Sequence, residues 1–125
     1  MVMKCCVIDT LGETGILAVA RIDQIEKAIP LANALLAGGV KVLEFSMNGV
    51  CCFDAISLVK KEMKGEIFVG ASTVLDPESA RSAILAGADF IVSPTTNFET
   101  IKMAHRYAKP VMPGAMTPSE ILSAF

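Results

Sequence analysis

The 125-residue sequence has no apolar stretch that reaches ~18 residues before Gly, Lys or Glu interrupts it, so no segment is expected to cross a bilayer as a helix. An excess of positive charge is also lacking. The formal net charge is −2, the pI is near 5.3 and the basic residues are scattered, which leaves no electrostatic footprint for nucleic acid or an anionic membrane. The N-terminal stretch MVMKCCVIDTLGE carries one Lys followed by acidic residues, without a signal peptide's apolar run and small-residue cleavage site. A cytoplasmic location is expected. The cysteines fall as two adjacent pairs, Cys5-Cys6 and Cys51-Cys52, without the C-x-x-C spacing of a metal knuckle. They read as reduced, buried thiols, and no metal site is expected. The lone histidine, His105, falls in the middle of an outer helical pattern and reads as a surface residue. No G-x-G-x-x-G or G-x-x-x-x-G-K-[ST] follows an apolar run, which removes the main dinucleotide and P-loop signatures.

What is present is apolar content: 53% hydrophobic against 19% charged residues, with a mean hydropathy of +0.56, excludes a disordered chain. The length suits one domain over residues 1–125. One pattern recurs along it, a short β-branched run, a few turn residues and then an amphipathic segment. The runs are Ile16 to Ala20, Lys41 to Ser46, Ile67 to Ala71, Phe90 to Ser93 and Val111 to Gly114. Each is apolar on consecutive positions, the mark of a parallel strand buried on both faces. Between them, Ile25, Ala28, Ile29, Ala32, Leu35 and Leu36 share one helical face, as do Cys52, Ala55, Ile56, Val59 and Met63, and Ile101, Ala104 and Ala108. Pro30 is expected to bend or restart the first of these helices. Starts are marked by Asp23 with Glu26, by Asp76-Pro77 and by Thr117-Pro118-Ser119-Glu120, and ends by Gly38 and Gly87.

The segments Leu36 to Leu43 and Leu85 to Val92 align without a gap, so two βα units resemble each other. Five consecutive βα units give an α/β chain that is either a doubly wound sheet or the first part of a (β/α)8 barrel. Spacing alone does not choose. In both architectures chemistry sits at the C-terminal ends of the strands, where Arg21, Glu44, Ser72-Thr73 and Ser93-Pro94-Thr95-Thr96 collect. Glu44 is the most informative of them. A carboxylate between Leu43 and Phe45 in a buried strand costs several kcal/mol unless it is neutralised or hydrogen-bonded, so its pKa is expected to rise into a range useful for proton transfer. The alternative is a structural Glu paired with Lys41 or Arg21.

The stretches LANALLAGGVKVLEFSMNG, VGASTVLDPES, LAGADFIVSPTT and PVMPGAMTPSE together resemble the 2-keto-3-deoxy-6-phosphogluconate / 4-hydroxy-2-oxoglutarate (KDPG/KHG) aldolase family over Gly15 to Phe125. The resemblance implies a TIM-type (β/α)8 barrel, here a partial one of about five βα units. It also implies a class I aldolase, commonly trimeric, that cleaves a 2-keto-4-hydroxy acid to pyruvate and an aldehyde through a Schiff-base lysine, with neither metal nor other cofactor. Carried over by the resemblance, Glu44 is the glutamate that shuttles protons through a bound water, Thr73 contacts the carboxylate of the pyruvyl half, and Pro94 walls the pocket. Members usually show G-A-G-T where this chain has Gly70-Ala71-Ser72-Thr73, so Ser72 adds a hydroxyl and a Cβ. Some members place an Arg four residues beyond the glutamate, where this chain has Asn48, and an amide cannot form that charged, bidentate pair. Arg21, on the adjacent strand, is expected to supply the guanidinium instead.

The family's lysine lies on a sixth strand in a segment like K-x-F-P, which falls beyond the residues present. Lys41 opens its strand and Lys109 immediately precedes one, so both are expected at the N-terminal face, while Lys27, Lys60, Lys61, Lys64 and Lys102 fall on helices, and none is expected to reach the pocket. Val19, Leu43, Val69, Ile91 and Val111 are expected to face inward, and Met112 and Met116 to serve as core or pocket packing. A second reading, of another class, is a non-catalytic half-barrel that self-associates or completes a barrel with another chain.

Overall fold

The β-branched runs pair side by side as their two-faced burial requires. In a computed structural model, described over residues 6–125, the elements are α1 (Cys6–Thr14), β1 (Ala18–Ala20), a 3-10 turn (Ile25–Lys27), α2 (Ala28–Ala37), β2 (Val42–Ser46), α3 (Cys52–Met63) and β3 (Phe68–Ser72). They continue with α4 (Pro77–Leu85), β4 (Ile91–Ser93), α5 (Phe98–Arg106), β5 (Val111–Pro113) and α6 (Pro118–Ala124). All five strands are parallel, in the order β1-β2-β3-β4-β5. A doubly wound sheet reverses its order at a switch point, and this one does not. The fold is therefore a partial (β/α)8 barrel of five βα units.

Local chemistry explains most boundaries. Asp76 caps α4 by accepting from the Ser79 N–H at 2.6 Å, with Pro77 at the first helical position, where no backbone donor is needed. Thr117 and Glu120 form a reciprocal capping box on α6, and Asn97 caps α5 through the Thr100 N–H. Pro30 restarts its helix: the chain makes a 3-10 turn through Lys27, and α2 then begins at Ala28 with Pro30 in its first turn. Two expectations fail locally. Asp23 caps nothing, because Gln24 precedes the turn in extended conformation and the Asp23 carboxylate pairs with Lys27 instead. After α2 it is Gly39, at φ +87°, and not Gly38, that adopts the left-handed backbone.

The parallel register sorts the strands into two faces. Leu43, Phe45, Val69, Ala71 and Ile91 are fully or almost fully buried against α2, α3, α4 and α5, through Ala32, Ala55, Ile56, Val59, Ala80, Ala83 and Ala104. That face is the main core. The opposite, inner face carries Val19, Glu44 and Gly70 in one row, with Val42 and Phe90 buried below and covered by Val7 and Leu11 of α1. Leu43, Val69, Ile91 and Val111 thus point outward, against expectation, and of the five residues expected inside only Val19 shares the inner face with Glu44. Helices claim the larger apolar surface, so the strongest hydrophobes face them. Helix α1 was not expected, although Val7, Leu11 and Thr14 mark its i, i+4 and i+7 positions.

Candidate active site

Side chains at the C-terminal ends of β1, β2 and β3 converge. Glu44, third of the five residues of β2, is 4% exposed, and its Oε2 has no hydrogen-bond partner. Directly across from it on β3 stands Gly70. A Cβ at Gly70 would lie 2.5–2.7 Å from three carbons of the Phe90 ring, so glycine is what lets that ring settle over β3 beside the Glu44 row. The apolar surroundings push the Glu44 carboxyl above its ordinary pKa, and the neighbouring Ser72 hydroxyl and the Arg21 charge only partly offset this. Neither Lys41 nor Arg21 forms an ion pair with Glu44 among the described residues.

One pleat further along, Ser46 and Ser72 are paired across β2 and β3, both almost fully buried. The Ser46 hydroxyl is 3.0 Å from that of Thr73 and accepts from the Asn48 N–H at 3.4 Å. The Ser72 hydroxyl has no partner. Thr73 adopts φ +60°, a left-handed backbone that a β-branched residue enters only at a cost of order 1–3 kcal/mol. The site thereby stores strain at the strand end.

Arg21 is exposed just past β1 and lines an open cavity of about 440 Å³ together with Asp23, Lys27 and Asn48. Arg21 and Asn48 therefore share one hollow, as the idea of a guanidinium supplied from the next strand requires. Pro94 lies exposed past β4, at the same end of the sheet as Glu44 and Thr73. Its carbonyl sits where a Gly114 Cβ would fall within 2.2 Å, while Thr96 donates to the Gly114 carbonyl at 2.8 Å, so β4 and β5 are clasped there. Met112 belongs to the inner cluster, but Met116 is 92% exposed, because the chain turns outward before α6.

The remaining chemistry is quiet. Buried Cys52 donates its thiol to the Phe45 carbonyl at 3.3 Å, and burial pushes its pKa to about 11. Cys51 is half-buried and free, whereas Cys5 and the Cys6 side chain fall outside the described residues. Among the described residues no group of three or more His, Cys, Asp or Glu could hold a metal, and no helix is long and apolar enough to cross a membrane. His105 is exposed on α5. A hollow of about 470 Å³ between β5 and α6 is lined by Pro113, Ala115, Ile121, Ala124 and Phe125, none of them with a titratable side chain.

Residues 7–125 match the family described as KDPG and KHG aldolase. The chain belongs to that family. The KHG/KDPG aldolase of Escherichia coli (strain K12) is 39% identical over 115 residues, which is 91% of this chain and 54% of that protein. A solved 4-hydroxy-2-oxoglutarate/2-dehydro-3-deoxyphosphogluconate aldolase from TTHB1 superposes with a TM-score of 0.86 at 30% identity, covering 98% of this chain and 58% of that one. The Legionella pneumophila KDPG aldolase, captured with pyruvate as a covalent carbinolamine, gives 0.81 at 31% identity over 86% and 52% of the two chains. The present chain thus spans about half the length of the curated relatives it matches.

In this member of the KDPG/KHG aldolase family three of the lysines are held in ion pairs. Lys27 does line the Arg21 cavity, contrary to expectation, but it is 53% exposed and bound to Asp23, so its amine is not desolvated. Lys60 is tied to Asp89 at 2.8 Å on the opposite end of the sheet, and Lys102 to Glu99 on the surface of α5. Ser46 was not singled out by the sequence reasoning, although alternation along the strand from Glu44 places it on the same face.

Proposed function

We propose that the protein to which this chain belongs is a class I aldolase, cleaving a 2-keto-4-hydroxy acid such as 2-keto-3-deoxy-6-phosphogluconate or 4-hydroxy-2-oxoglutarate to pyruvate and an aldehyde. The observation that carries this reading is Glu44: a buried carboxyl with a raised proton affinity and an unpartnered oxygen, on the inner barrel face beside strained Thr73. An acid/base in class I chemistry must both give and take a proton near neutral pH, and a carboxyl shifted upward by desolvation suits that work. Thr73 and Arg21 serve as carboxylate contacts and Pro94 as pocket wall in this reading. The amine that forms the Schiff base comes from outside the described residues, since an attacking lysine must be desolvated and next to the carbonyl. Membership in a family of aldolases favours this over a non-catalytic half-barrel. A cytoplasmic location and self-association, as a trimer by family resemblance, belong to the same reading.

The test uses the native gene product with both keto acids, following pyruvate release and borohydride trapping of a pyruvyl adduct. An adduct on a lysine, together with a Glu44→Gln loss of ~10²-fold or more in turnover, supports the assignment. No adduct and no pyruvate release from either substrate would refute it.

A further inference from the structure

Two buried polar atoms on the inner face share one circumstance. Glu44 Oε2 and Ser72 Oγ each lack a hydrogen-bond partner, and their residues are 4% and 3% exposed. They are also neighbours: Ser72 stands one pleat beyond Gly70, the residue directly across from Glu44, and points to the same side of the sheet. The other hydroxyls at this strand end are engaged, Ser46 with Thr73 and with the Asn48 N–H. The Ser72 main chain is fixed as well, its carbonyl accepting from the Met47 N–H at 2.9 Å. The Ser72 hydroxyl lies near enough to the Glu44 carboxyl to lower its proton affinity, and a buried hydroxyl and a buried carboxylate oxygen left without partners are costly.

We propose that Ser72 is a positioning residue for Glu44, its hydroxyl donating to the carboxylate oxygen that the sheet leaves unpartnered. Ser72 then fixes which oxygen of Glu44 stays free for proton transfer and stabilises the ionised form. The role in turnover rests on the aldolase reading, whereas the contact itself does not. The groups facing Glu44 are few. Past β1 there is Arg21, whose charge favours the anion, and from β3 there is Ser72; the rest of the inner face is filled by the Phe90 ring just ahead of β4 and by Val7 and Leu11 of α1, none of them titratable.

The experiment follows the side-chain carboxyl of Glu44 by carbon NMR in the folded 125-residue chain labelled at glutamate, with the signal assigned by its loss in Glu44→Gln. Ser72→Ala and Ser72→Gly both remove the donor, and each is expected to raise the Glu44 titration midpoint by roughly one pH unit, the worth of a hydrogen bond to a charged group. Ser72→Thr keeps the hydroxyl and should titrate with the parent. Midpoints for the alanine and glycine variants that coincide with the parent overturn the proposal, as does a folded threonine variant that titrates with the alanine one. Because no turnover is read, failure here is distinct from failure of the aldolase assignment.

Discussion

Gly70→Ala measures how tightly the floor of the site is built. The added Cβ would lie 2.5, 2.6 and 2.7 Å from three atoms of the Phe90 ring, where ordinary contact begins at about 3.4 Å, so ring and strand must separate by nearly 1 Å. The ring is fully buried and packed with Val7 and Val42, which leaves it little room to retreat. Overpacking of a closed site costs ~1–3 kcal/mol, and three simultaneous clashes with a rigid ring place this case near ~3 kcal/mol. With a urea slope of ~2 kcal/mol/M, the unfolding midpoint should drop by roughly 1.5 M. Phe90→Leu in the same chain removes the clashing edge, so a double-mutant cycle between positions 70 and 90 should show a favourable coupling of at least ~1 kcal/mol. A Gly70→Ala midpoint within ~0.25 M of the parent, or strictly additive effects, would refute the packing argument.

Glu44→Gln should make stability less dependent on pH. A carboxyl raised by burial keeps its proton longer in the folded than in the unfolded chain, so its contribution is full below the ordinary value of 4.5 and declines as pH rises through the folded value. Urea midpoints from pH 4 to 8 should therefore diverge in favour of glutamine as the pH climbs, by ~1.4 kcal/mol for each pH unit that separates the folded and unfolded titration midpoints, and parallel curves would contradict the desolvated site. Arg21→Ala should weaken pyruvate binding by roughly 1.5–3 kcal/mol and Asn48→Ala by much less; calorimetric titration of the native product giving equal losses would defeat the guanidinium assignment. Asp76→Ala should cost ~1 kcal/mol by removing the α4 cap. Its carboxyl is held below the ordinary 3.8 by the Ser79 N–H, so that difference is present above pH 3.8 and shrinks as pH falls below it, a trend that denaturation at pH 2 to 6 checks.

Elements were legible in the sequence because their causes are local. Asp76-Pro77 and the Thr117 capping box start helices by hydrogen bonds spanning three residues, and consecutive apolar runs such as Val42 to Phe45 report a strand buried on both faces whatever lies beside it. Glu44 was legible for the same reason: a charge inside such a run has no local partner. Three matters needed the tertiary structure. The choice between a barrel and a doubly wound sheet, which spacing left open and only the family resemblance implied, depends on which strand lies beside which, and the order β1 to β5 is a property of pairing. Which alternate residues face inward depends on where the helices pack, because a run apolar at every position carries no period to read; Leu43 and Val69 thus went to the helices and left Glu44 and Gly70 inside. The sequence brought Ser72 to the same end of the sheet as Glu44, but their direct neighbourhood needed the register. Ser72 and Glu44 come from strands separated by a helix, and only the register of β2 against β3 places the unpartnered hydroxyl one pleat beyond the residue across from the carboxyl.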